Sequence, residues 1–153
     1  MEGFLAMTTD LITKLFLVHS VIRRAINTSF KQAGLAWNFE HFIFLTAIPA
    51  SKGIPLKYIA TTVFGRDQSA MRRALSALER GRLIRLKREA EDRRHLRVHI
   101  TSEGIEVLAS LNRLAHDSMD TALFSDEQET LVKLSGMLDQ LQPHMDFESS
   151  QVA

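Results

Sequence analysis

The sequence predicts a mainly α-helical chain that carries one small β-hairpin, and three observations lead there. Apolar residues recur every three to four positions through most of the chain, and the period changes to two only between Leu83 and Ile100. At 153 residues and 45% hydrophobic content the chain amounts to about one domain with a real core. The formal net charge of +1 conceals a division. From Lys52 to Arg97 thirteen Lys and Arg meet five Asp and Glu, a surplus of eight, whereas the remainder holds six bases and thirteen acids. A basic block inside a structured segment is the electrostatic footprint of a polyanion site, provided its charges fall on one surface.

Leu11, Leu15, Val18, Ile22 and Ile26 predict an amphipathic helix over 10–33, capped by Asp10 and stopped by Gly34. Phe39, Phe42, Ile43 and Leu45 predict a second helix over 38–48, with Asn38 as its cap and Pro49 at its end. Ser51-Lys52-Gly53 reads as a loop. Pro55 suits the first turn of a short third helix reaching Val63, where a missing N–H costs nothing. Gly65 breaks that helix. Asp67 can cap a fourth, over 68–80, which turns Met71, Leu75 and Leu78 one way and Gln68, Ser69, Arg72, Arg73 and Ser76 largely another. Gly81 follows at the C′ position that glycine favours. Leu83 to Arg88 is then a strand, Glu89 to Arg94 a connecting loop, and Leu96, Val98 and Ile100 alternate with His95, Arg97 and His99 in the partner strand. Thr101 can cap a fifth helix with Glu103 at its positive end and Ile105, Leu108, Leu111 and Leu114 as its stripe. Ser125 to Gln128 fits a capping box opening a sixth helix, whose stripe is Leu131, Leu134, Leu138 and Leu141 and whose stop is Pro143.

A short helix, a glycine-containing turn, a second helix and a basic hairpin form the winged helix-turn-helix pattern. The organisation expected is an N-terminal dimerisation helix (1–35), a winged helix-turn-helix lobe (36–101) and C-terminal dimerisation helices (102–153). The stripes of the first, fifth and sixth helices expose more leucine than a monomer of this size leaves in water, so a homodimer is expected. An α-helix fits the major groove of B-DNA, and arginine can bond both acceptors of a guanine edge. Arg72 and Arg73 stand about 100° apart around the fourth helix, so both reach its outer half. Gln68 and Ser69, in its first turn, can meet phosphate or base edges. Lys87, Arg88, Arg93 and Arg94 make the hairpin a basic loop suited to the minor groove, where a narrow groove favours an inserted arginine. Asp92 can orient one of them through a bidentate pair.

Other functions find little support. No nucleophile with a partnered base, no paired carboxylates and no glycine-rich phosphate loop appear, and all seven glycines are isolated, so no enzyme is expected. Without cysteine there is no disulfide or thiolate metal site. The six histidines lack metal-ligand spacing, and no cofactor is expected. No apolar run is long enough to span a bilayer, and the N-terminus does not read as a signal peptide, so a cytoplasmic protein is expected. Trp37, His41 and Phe44, with His19 one helix earlier, gather aromatic and polar groups near the junction of helices and lobe. Trp37 and His41 are candidate ligand contacts there, although such residues more often pack a core. The rival function is a winged-helix protein–protein adaptor without DNA readout; the retained basic surplus argues against it.

The stretch Asp92-Arg93-Arg94-His95-Leu96-Arg97-Val98-His99-Ile100-Thr101-Ser102-Glu103-Gly104 resembles the wing signature of the MarR family of bacterial transcription regulators, Asp-x-Arg, a strand, then Leu-Thr-x-x-Gly. Ile100 stands where leucine is usual. Leu78-Glu79-Arg80-Gly81-Arg82-Leu83-Ile84-Arg85 is similar to the end of that family's recognition helix, one residue shorter, and Ile59-Ala60 matches its usual Leu-Ala. The resemblance covers nearly the whole chain. It implies a homodimer joined through its N- and C-terminal helices, binding to pseudo-palindromic promoter sites, most often as a repressor. It implies that Arg94 enters the minor groove, and that a small, often phenolic, anion bound between dimer region and lobe releases the DNA. Peroxide-sensing members need a reactive cysteine, which this chain lacks.

Overall fold

The computed structural model describes residues 2–88, 96–122 and 128–141. Among these residues six helices and three short strands follow in the order α1 (Glu2–Gln32), α2 (Phe39–Thr46), β1 (Ile54–Pro55), α3 (Leu56–Tyr58) with a π-helical turn (Ile59–Val63), α4 (Gln68–Arg80), β2 (Ile84–Arg88), β3 (Leu96–Ile100), α5 (Ser102–Ala122) and α6 (Gln128–Leu141). The strands form one antiparallel sheet in the order β1-β3-β2.

Asp10 does not cap α1. The helix begins eight residues earlier, and Asp10 lies inside it, paired with Lys14 one turn on at 2.6 Å. The stop at Gly34 holds. Gly34 takes φ +72°, Leu35 N–H donates to Phe30 C=O at 3.0 Å and Gly34 N–H to Lys31 C=O at 3.1 Å, the Schellman arrangement that satisfies the last carbonyls. Helix α2 starts at its expected cap and ends two residues early, at Thr46.

The segment expected to be one helix from Pro55 is divided. Ile54 and Pro55 pair with Val98 and Arg97 of β3. Pro55 therefore ends an edge strand, where a missing N–H is tolerated, rather than sitting inside the helix. The helix after it widens, with Phe64 N–H donating to Ile59 C=O at 3.2 Å, five residues back.

Helix α4 has its expected bounds. Asp67 Oδ1 accepts from Ala70 N–H at 2.9 Å, and Met71, Leu75 and Leu78 are fully buried. Its end differs from expectation. Gly81 has φ −73°, and Arg82 carries the left-handed φ of +60°. Glycine is required at 81 for space, since a Cβ there would overlap the Trp37 ring. Arg82 sits where glycine would be unstrained. Gly81→Ala is expected to cost about 1–3 kcal/mol through forced displacement of Trp37. Arg82→Gly is expected to stabilise by about 0.5–1 kcal/mol, since relief of the left-handed penalty exceeds the added chain entropy. Urea midpoints of the two variants check both; equal shifts in one direction refute the distinction.

Thr101 joins sheet to α5. Its Oγ1 donates towards Arg82 C=O (2.7 Å) and Leu83 C=O (3.1 Å) and accepts from Gly104 N–H (2.9 Å), which makes it the expected cap. Gly104 lies so close to the Leu83 carbonyl that no side chain fits between. The Thr-x-x-Gly spacing is thus a clamp holding the first turn of α5 against the start of β2. Along α5 the buried line is Gly104, Leu111 and Ala115, with Leu108 and Leu114 half-buried; Ile105, expected on the stripe, is 47% exposed. The expected cap Ser125 lies outside the described residues. Leu134 and Leu138 of α6 are exposed rather than packed within the chain. Among the described residues, Phe30 of α1, Leu45 of α2, Ile59, Leu75, Val98 and Leu111 anchor one continuous core.

Candidate nucleic-acid interface

Burial of Met71, Leu75 and Leu78 fixes the rotation of α4, and the same rotation leaves Gln68, Ser69, Arg72 and Arg73 exposed on its outer side. The start of the helix is held from two directions. The N–H of Ala70 donates to the Asp67 carboxylate and, with the positive charge of Arg73, keeps that group below its ordinary carboxylate pKa. Arg66, in the turn before it, forms a salt bridge with Glu40 of α2 and so ties the turn to the neighbouring helix. Ser76 Oγ donates to Arg73 C=O at 2.7 Å, and Arg80 Nε donates to Ser76 C=O at 3.3 Å, which draws Arg80 back along the helix.

The second expected basic group lies on β2. Lys87 and Arg88, both exposed, end the strand where the hairpin leaves the described residues. Arg93, Arg94 and Asp92 lie outside the described residues. The structure adds Arg97, which pairs across the ladder with Lys87, and His99, which pairs with Arg85. Burial first, then the charges of Lys87 and Arg97, hold the His99 imidazole below its ordinary pKa. Lys87 and Arg97 are thus like charges directly opposite one another, which repel across the ladder. The alternation of Arg97 and His99 with Leu96, Val98 and Ile100 was visible in the sequence; their direct opposition to β2 was not, because it depends on register.

Trp37 and His41 come together at the α1–α2 junction, their rings edge to face with centroids 5.7 Å apart. Both have structural duties. Trp37 closes over Gly81 at the end of α4. His41 N–H donates to Asn38 Oδ1 at 3.0 Å, and Asn38 N–H donates to His41 Nδ1 at 3.3 Å, a reciprocal cap for α2. Burial lowers the His41 pKa and so favours the neutral ring that this acceptor role needs. His19 meets Phe39 rather than His41, with ring centroids 5.7 Å apart. Phe39 N–H donates to Asn27 Oδ1 of α1 at 2.7 Å, which fixes α2 on the long helix.

No family model and no curated protein matches the chain. Solved structures do. The transcriptional regulator BldR from Sulfolobus solfataricus is similar at TM-score 0.75 and 22% identity, over 90% of this chain and 96% of that one. A mutant MarR from E. coli complexed with operator DNA is similar at TM-score 0.66 and 19% identity, over 88% and 96% of the two chains. CouR from Rhodococcus jostii RHA1, bound to p-coumaroyl-CoA, is similar at TM-score 0.69 and 21% identity, over 88% and 91%. The basic helix, its three-stranded sheet and the flanking helices are therefore the fold of the MarR-family winged helix-turn-helix regulators.

Proposed function

We propose that this protein is a sequence-specific double-stranded DNA-binding transcription regulator that works as a homodimer on a pseudo-palindromic operator. The observation that carries this is the division of α4: three apolar residues locked in the core and Gln68, Ser69, Arg72 and Arg73 presented together outside, beside the cations of β2. Arg72 and Arg73 read base edges in the major groove, Gln68 and Ser69 meet phosphate or base at the helix start, and Lys87, Arg88, Arg93 and Arg94 contact the flanking backbone and minor groove, with Asp92 orienting the tip. The operator complex of the MarR neighbour supports DNA as the partner. Repression is the mode this reading favours. A small aromatic or phenolic anion is the inducer class, with the Trp37–His41 ring pair as its wall; CouR, which holds p-coumaroyl-CoA, supports a ligand-responsive member of this fold.

Affinity for a selected genomic duplex is expected to fall at least ~100-fold between about 50 and about 200 mM salt, because each phosphate contact releases counterions. Binding that does not change with salt, or no bound genomic fragment at low salt, refutes the reading.

A further inference from the structure

Among the described residues, the sheet order β1-β3-β2 leaves β2 with one edge unpaired by a strand, and a groove of about 520 Å³ opens along it. Ile84, Arg85, Leu86 and Lys87 all line that groove. Successive strand residues point to opposite faces, so four in a row can share a groove only if it follows the strand's edge. The backbone agrees. Thr101 N–H donates to Leu83 C=O at 3.0 Å, which makes 83 and 101 a bonded pair. Alternation along the register then bonds Arg85 to His99 and Lys87 to Arg97, and turns the N–H and C=O groups of Ile84 and Leu86 outward, away from β3.

The side chains specify what fits. Arg85 and Lys87 stand on one face, two residues apart, and ask an added strand for acids at alternate positions. Ile84 and Leu86 lie on the other face and ask for apolar residues between those acids. At the Leu83 end, Glu79 and Glu103 wall the groove and repel a further acid. Arg82 also lines it, from a left-handed conformation that glycine would adopt without strain, as expected where a side chain is kept for a function. A second copy does not fit this edge, since its Arg85 and Lys87 would meet the same cations. The two glutamates disfavour nucleic acid at the Leu83 end of the groove.

We propose that the outer edge of β2 takes an extended acidic segment of a partner protein as a fourth strand, with acids at alternate positions against Arg85 and Lys87 and apolar residues over Ile84 and Leu86. This surface is separate from the outer side of α4, although it shares Lys87 with the DNA contacts proposed above, and its test needs no DNA.

The full-length protein is titrated with an acetylated peptide of sequence Lys-Val-Glu-Val-Glu-Val-Gly, followed by fluorescence anisotropy and by amide hydrogen exchange. Exchange of the Ile84 and Leu86 amides is expected to slow at least about tenfold on binding. Arg85→Glu with Lys87→Glu is expected to weaken binding by roughly tenfold or more, and a peptide with lysine in place of both glutamates to restore it. Arg82→Gly, a change the backbone favours, is expected to weaken binding as well, whereas Arg72→Ala with Arg73→Ala leaves it unchanged. Unprotected edge amides at millimolar peptide, equal binding by the charge-reversed protein, or binding lost in the α4 variant overturns the proposal. So does protection of those amides by rising protein concentration alone, which would mark a second copy as the occupant.

Discussion

Arg72→Ala combined with Arg73→Ala is expected to abolish operator recognition while leaving the protein folded. Both side chains are exposed, and the groups that hold α4 in place lie elsewhere: Met71, Leu75 and Leu78 in the core, Asp67 at the cap, and Arg66 on Glu40. Alanine is the better helix former, so the helix itself gains slightly. Each good bidentate base contact contributes about 1–3 kcal/mol, and two of them about 2–6 kcal/mol, or roughly 30-fold to more than ~10⁴-fold in affinity. The loss should fall on the selected operator and much less on random duplex, whose binding rests on phosphate contacts. Competitive gel shifts with both duplexes, beside a urea unfolding curve, separate the two effects. An unchanged operator affinity in a folded variant removes Arg72 and Arg73 from the interface.

Helix α4 was legible to the residue because its signals are local: a capping aspartate, an apolar line at helical spacing, and a glycine at the end. The glycine's reason was not legible. Gly81 looks like a left-handed C′ residue, yet it serves the approach of Trp37, 44 positions earlier in the chain, and the left-handed place falls to Arg82. Strand β1 escaped for a similar cause. Two residues have no period, and Ile54 becomes a strand only through its pairing with Val98. His41 carries a duty that the sequence did not show: besides standing among the aromatic residues that made it a candidate ligand contact, it caps α2 through its bonds with Asn38, a role that a histidine at that position does not announce. The basic residues of α4 and β2 were found because surface charge follows from helical and strand period alone. Their grouping with Arg97 and His99 needed the register.

Phe16→Glu combined with Met137→Glu is expected to convert a stable dimer into a monomer. Leu11, Leu15 and Val18, read from the sequence as one face of an amphipathic helix, are exposed in the single chain, and so are Ile12, Phe16 and Leu17 around them. A helix apolar over so much of its circumference is stable in water only when another surface covers it. Helix α6 repeats the condition, with Val132 at 73% exposure and Met137 at 64% beside Leu134 and Leu138. Covering side chains that are 37–73% exposed recovers about half of the ~1.5–3 kcal/mol of full burial for each, so half of those on α1 and α6 would suffice for a stable interface. Glutamates at Phe16 and Met137 would bury unpaired charge in that contact, while the lobe's core, anchored by Leu45, Ile59, Leu75 and Val98, is untouched. Light scattering should give about twice the 17.3 kDa chain mass for the unaltered protein and the single-chain mass for the variant. Operator affinity should fall with it, by about 10²–10⁴-fold, because two recognition helices spaced about 34 Å apart no longer engage one duplex together. An unaltered protein that runs at the single-chain mass, or a variant that keeps full operator affinity as a monomer, rules out the two-fold mode of binding.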